Sequence, residues 1–145
     1  MSSLFRTYSV SGDDLSLAGE VSGHIKQLLK SLGFAPEVVR RVAISAYEAE
    51  VNMVIHADGG EIRAEITPGY VEIAFADNGP GIPNIKLAML EGWSTAPQRA
   101  RALGFGSGMG LPNIKQPTDT YSIRTVLGVG TTLTFRVYTG EGAGA

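Results

Sequence analysis

The 145-residue chain has no cysteine and only two histidines, His24 and His56. The first absence removes disulfide frameworks, thiol nucleophiles, thiolate zinc sites and iron–sulfur clusters, and the second makes a His-rich metal site an unpromising expectation. Any metal is expected to take oxygen ligands. Nowhere do eighteen consecutive apolar residues occur, and the first fifteen residues carry no long apolar stretch, so neither a membrane span nor a signal peptide is expected, and the cytoplasm is the expected address. A charge excess of one sign is also missing: twelve Lys and Arg face fourteen Asp and Glu, for a formal net charge of −2. That balance supplies no field for holding nucleic acid or anionic lipid, and neither partner is expected. A mass of 15.3 kDa fits one compact domain, read here as residues 1–138, with residues 139–145 as a frayed tail of small residues.

What the chain has in excess is glycine, 19 of 145 residues, or about 13% against a typical share of roughly 7%. The periodicities around these glycines predict an order of elements. Residues 5–10 read as an edge strand, and Ser11-Gly12-Asp13-Asp14 offers turn and cap chemistry ahead of a helix carrying Leu15, Leu17, Val21, Ile25, Leu28, Leu29 and Leu32 up to Gly33. A second helix opens at Pro36, and its stripe of Val38, Val42, Ala46, Ala49 and Met53 runs to about His56. Two strands, 61–67 and 70–76, flank Pro68-Gly69 as a hairpin whose second arm delivers Asp77. Ten glycines and prolines punctuate the stretch from Asp77 to Gly110, with one short helix expected at 85–91. A helix then restarts over 109–115, and strands at 121–127 and 131–138 pair around Gly128-Val129-Gly130.

Three motifs bear chemistry. On the second helix Ile44, Glu48, Asn52 and His56 follow at i, i+4 spacing, so a carboxylate and an amide can address one ligand; a solvated helix face would carry the same residues, and His56 reads as a structural residue at the helix end. Asp77-Asn78-Gly79-Pro80-Gly81 puts a carboxylate at a strand end, before glycines that let backbone approach a flat ligand. Its acceptor oxygens suit the exocyclic amino group of adenine, or equally an Asp-initiated turn. In Gly104-Phe105-Gly106-Ser107-Gly108-Met109-Gly110, alternating glycines run into a helix start and could aim N–H groups at phosphates, with Arg99 and Arg101 just upstream to neutralise charge. The spacing fits neither the P-loop nor G-x-G-x-x-G.

Taken in order, Glu48-Ala49-Glu50-Val51-Asn52, Asp77 to Gly81, Gly104 to Gly110 and Gly130-Thr131-Thr132 resemble the boxes of the GHKL ATPase superfamily, and within it the small serine kinases that act as anti-sigma or partner-switching factors. The resemblance covers roughly residues 35–137. It implies a two-layer α/β (α+β) sandwich, a mixed, mostly antiparallel sheet with helices on one face, that binds ATP with Mg²⁺ beneath a lid at about residues 93–108. By matching position it implies Glu48 as general base, Asn52 as the Mg²⁺ ligand, Asp77 as the adenine reader, and Gly79 and Gly81 as close-approach glycines. Gly106, Gly108 and Gly110 would border the phosphates, with Gly104 and Met109 in the same loop, and Thr132 would lie near adenine. Mg²⁺ keeps phosphate and water oxygens, so one Asn suffices, and phosphoryl transfer asks mainly for positioning and charge neutralisation.

Leu111-Pro112-Asn113-Ile114-Lys115 looks more like the switch kinases of stress signalling than like anti-sigma factors that clasp a sigma factor directly. The implied substrate is a serine or threonine on a small STAS-domain protein; a sigma factor or a phosphatase as a further partner, and a homodimer, remain open. A non-catalytic module that sequesters a partner under nucleotide control is the alternative reading. A detached histidine-kinase domain is disfavoured, because no dimerising hairpin with a phosphoacceptor His precedes the motifs. Lys115-Gln116-Pro117 departs from the family pattern, since the proline is expected to end a helix that the family usually continues.

Overall fold

A computed structural model describes residues 3–12, 17–57, 59–79 and 110–140. Within them the order is β1 (Leu4–Ser11), α1 (Glu20–Ser31), α2 (Pro36–Ala57), β2 (Gly59–Ile66), β3 (Tyr70–Asp77), α3 (Gly110–Lys115), β4 (Thr120–Val126) and β5 (Gly130–Tyr138). The strands form one sheet ordered β1-β2-β3-β5-β4. All four pairings are antiparallel, so among the described residues the sheet is not mixed, while the layering of helices on one face is as expected. No helix among the described residues is long and apolar enough to cross a membrane.

Alternation along the strands sets the layers. Ile62, Ala64 and Ile66 of β2, Val71, Ile73 and Phe75 of β3, and Leu133, Phe135 and Val137 of β5 are all buried and share one core with Ile25 and Leu29 of α1 and Val38, Val42, Ala46, Ala49 and Met53 of α2. Each buried Val, Leu, Ile, Phe or Met side chain among them contributes about 1.5–3 kcal/mol, so this face fixes the register. The opposite face carries polar pairs: Arg136 bonds Glu72 at 2.8 Å and lies 3.8 Å over the Tyr70 ring, whose hydroxyl donates to Glu65 at 2.9 Å. That division is usual for an antiparallel sheet with helices on one side.

Helix α2 is buried on two sides. Beyond its sheet-facing stripe, Val51, Val54 and Ile55 form a second cluster against Val10 and Ala18. Here the structure corrects the expected start of the first helix. Leu17 is 51% exposed, α1 begins only at Glu20, and Gly19 caps it at φ 103°. The cap chemistry comes from α2: Glu50, 1% exposed, accepts the N–H groups of Gly19 at 3.0 Å, Val21 at 3.2 Å and Ser22 at 2.8 Å. Three donors that the first helical turn leaves orphaned are thus satisfied by a carboxylate about thirty residues away, which also suits the positive end of the helix dipole. Residues 13–16 and the short helix expected at 85–91 lie outside the described residues.

At the far end, α3 stops at Lys115 as the proline predicts, and Thr118 N–H bonds the Lys115 carbonyl at 3.1 Å. The side chain of Ile114 is fully buried in the main core.

Candidate nucleotide-binding site

Asp77 is the last residue of β3 and shares the parity of Val71, Ile73 and Phe75, which places it on the helix side of the sheet. Its Oδ1 accepts from Gly79 N–H at 2.9 Å and from Thr131 N–H at 3.2 Å. The first bond makes the Asp-initiated turn real. The second ties that turn to β5, where Thr131 is the register partner of Asp77. A carboxylate offers roughly four lone-pair positions, so a fixed Asp77 retains capacity for an adenine amino group. Turn and acceptor are therefore compatible.

The glycines here let chain approach chain. A Cβ on Gly79 would stand 2.7 Å from the Ala57 Cβ, so the absence of a side chain seats the turn against the end of α2. A Cβ on Gly130 would stand 2.0 Å from the Asp77 carbonyl oxygen, and its φ of 153° lies where L side chains rarely go. Thr132, expected from the resemblance near adenine, is exposed and pairs with Ala76 on the other parity, so it points to the polar face; Thr131 is the residue that meets Asp77. Gly81, Arg99, Arg101, Gly104, Gly106, Gly108 and Met109 lie outside the described residues, as does the lid expected at 93–108, and Gly110 is the first residue of α3.

The stripe on α2 runs between two structural ends. Ile44 is 39% exposed, whereas Glu48, Asn52 and His56 are half-buried. At one end, burial pushes the Glu48 carboxyl above the usual carboxylate range, and a hydrogen bond with the Asn113 side chain on α3 opposes the shift. At the other, burial pushes His56 below the usual imidazole value while the negative charge of Asp77 works against it. Asn52 stands one turn from each. Its amide oxygen is a hard donor of the kind Mg²⁺ accepts, and no group of three His, Asp or Glu among the described residues could hold a metal, so a cation here would draw on few protein ligands.

Two residues escaped the sequence reading. Asn113 had a weak signal, as a polar side chain immediately after the last glycine box. Glu50 had a geometric one: two positions beyond Glu48, at 100° per residue, it must face the opposite side of the helix.

Residues 38–141 match the family model described as histidine kinase-, DNA gyrase B-, and HSP90-like ATPase. The serine/threonine-protein kinase RsbT of Bacillus subtilis (strain 168) is 32% identical over 110 residues, covering 73% of this chain and 77% of that protein. Among solved structures, the RsbU and RsbW domains of Rv1364c from Mycobacterium tuberculosis align with a TM-score of 0.63 at 15% identity, over 92% of this chain and 32% of that longer one. The mycobacterial sensor histidine kinase MprB aligns with a TM-score of 0.51 at 15% identity, over 93% of this chain and 97% of that one. With the strand-end aspartate, the helix stripe and the layered sheet in place, this chain belongs to the histidine kinase-, DNA gyrase B- and HSP90-like ATPase family, the GHKL superfamily.

Proposed function

We propose that this protein is a Mg-ATP-dependent serine/threonine kinase that phosphorylates a small STAS-domain protein in cytoplasmic partner-switching regulation. The observation that carries the reading is the α2 stripe, on which a half-buried carboxylate, an amide and a histidine lead to the strand-end Asp77. Its likeness to a serine/threonine kinase over most of both chains supports the same conclusion.

In this mechanism Asp77 would accept from the adenine amino group, and Asn52 would hold Mg²⁺. The glycines at 104, 106, 108 and 110 would face the phosphates, and Arg99 and Arg101 would neutralise them. Mg-ATP supplies the phosphoryl group when bound. Glu48 would take the proton of the acceptor hydroxyl, with ADP as the leaving group of the transfer. A serine hydroxyl is a weak nucleophile at neutral pH, and a carboxylate whose proton affinity is raised by burial is better matched to that proton than an exposed one. Thr131 supports the site by fixing Asp77.

Incubation with radiolabelled ATP, Mg²⁺ and the STAS-domain proteins of the same organism tests the proposal. Label on one acceptor is the expected result. Nucleotide-dependent capture of an acceptor without label would instead identify a sequestering module, and Asn52→Ala is expected to lose Mg-dependent ATP affinity together with transfer.

A further inference from the structure

Glu48 does not stand alone at its end of the stripe. On α3, Asn113 directly precedes Ile114, whose carbonyl is held by Ser45 one helical turn before Glu48, and the Asn113 side chain favours the ionised form of that carboxylate. The backbone that carries Asn113 is fastened to the same helix beside that contact. Ser45 Oγ donates to the Ile114 carbonyl at 2.9 Å, Arg41 Nε donates to the Pro117 carbonyl at 2.7 Å, and the Arg41 guanidinium bonds Asp119 Oδ1 at 2.9 Å. Asp119 in turn accepts the Tyr138 N–H at 2.7 Å through its other oxygen, which joins this exit loop to β5. Arg41, Ser45 and Glu48 follow one another at i, i+4 and i+7, so one face of α2 meets α3 and its exit at three successive points. The middle point is dry, since Ser45 and Ile114 are both fully buried.

A glutamate has three rotatable bonds and loses much rotamer freedom when held in one geometry. A neutral amide that donates to one carboxylate oxygen limits that freedom, leaves the second oxygen for another donor, and adds no charge. We propose that Asn113 is a positioning residue for Glu48: its amide, held in place by the Arg41 and Ser45 contacts to α3, turns one carboxylate oxygen toward the acceptor hydroxyl. This rests on the reading of Glu48 as the proton acceptor. It also gives the departure at Pro117 a purpose, because ending α3 there presents the Pro117 carbonyl and Asp119 to Arg41.

The test uses the full chain, Mg-ATP and the labelled acceptor, with single-turnover transfer and ATP titration measured on Asn113→Ala, Asn113→Asp, Glu48→Gln and the Asn113→Ala/Glu48→Gln double variant. Losing a hydrogen bond to a charged group predicts a fall in transfer rate of about 10–100-fold in Asn113→Ala, with ATP affinity changed by no more than about twofold. Asn113→Asp should be worse than Ala, because it sets a like charge against Glu48. A merely structural contact would instead lower the melting temperature and ATP affinity along with transfer, rather than transfer alone. In the double variant, Asn113→Ala should add nothing to the loss from Glu48→Gln. Wild-type transfer by Asn113→Ala beside a defective Glu48→Gln would overturn the inference, and so would losses that multiply. Wild-type transfer by Glu48→Gln itself would instead overturn the reading beneath it.

Discussion

Glu48 and Glu50 sit two residues apart on one helix and meet opposite surroundings. Glu50 is 1% exposed and holds three backbone N–H groups from the start of α1 on its two oxygens. Glu48 is half-buried on the other side, has, among the described residues, one side-chain amide to offset its burial, and keeps a raised proton affinity. Both are carboxylates removed from bulk water to different depths, and the difference lies in how completely each is satisfied. A carboxylate held by several fixed backbone donors holds structure together. One that is only partly satisfied retains capacity for a substrate proton.

Substitution separates the two roles most sharply at the carboxylates themselves. Glu48→Gln keeps the shape and removes the charge, so phosphate transfer is expected to fall about 10²–10⁴-fold while ATP affinity and the melting temperature stay near wild type. Glu50→Ala should do the reverse in kind. It leaves one buried and two part-buried N–H groups at the head of α1 without that acceptor, at about 1–3 kcal/mol for each that water cannot reach, and chemical denaturation should show a loss of about 3 kcal/mol.

Asp77 falls between these extremes, since it serves the turn and, in the proposed mechanism, the base. Asp77→Asn keeps an oxygen for Gly79 and Thr131, so the fold should survive, while calorimetry should show a loss of ATP affinity of about 1.5–3 kcal/mol and a blurred choice against GTP. Guanine presents a carbonyl oxygen where adenine presents its amino group, so equal affinity of the wild-type protein for ATP and GTP would count against this role.

The smallest effect is expected at His56. Its folded value lies below 6.5, so as pH falls the unfolded chain takes up the proton first. Stability is therefore fully present above 6.5 and is lost as pH falls from there through the folded value. A His56→Gln variant should flatten the dependence of the urea midpoint on pH in that window. An unchanged slope would place the acid sensitivity elsewhere.

Much of this arrangement is legible in the sequence. Periods of 3.6 and 2 report which residues share a face, so the α2 stripe, the hairpin and the arrival of Asp77 at a strand end could all be read from spacing alone. The parts that were not legible depend on partners distant in sequence. Glu50 reads only as a helix glutamate until α1, some thirty residues earlier, brings its N–H groups to it. That same bond explains why the helix expected from Leu15 begins at Glu20: Leu15 and Leu17 fit the apolar period, but the cap that starts the helix is supplied across space. The choice of Thr131 over Thr132 at Asp77 turns on β3–β5 register, a pairing across 54 residues that no local pattern contains. Asn113 joins Glu48 only because α3 folds back along α2.

The most direct test of the central claim is the pH dependence of single-turnover transfer at saturating Mg-ATP, measured on the wild-type protein and on Glu48→Gln. In the proposed mechanism transfer needs ionised Glu48, and burial raises its value above 4.5, so the wild-type rate should fall with acid through a limb centred above that ordinary value. In Glu48→Gln the slow residual rate should show no such limb. The same limb in both proteins, or a wild-type rate that does not respond to acid, would contradict a half-buried Glu48 as the group that takes the proton.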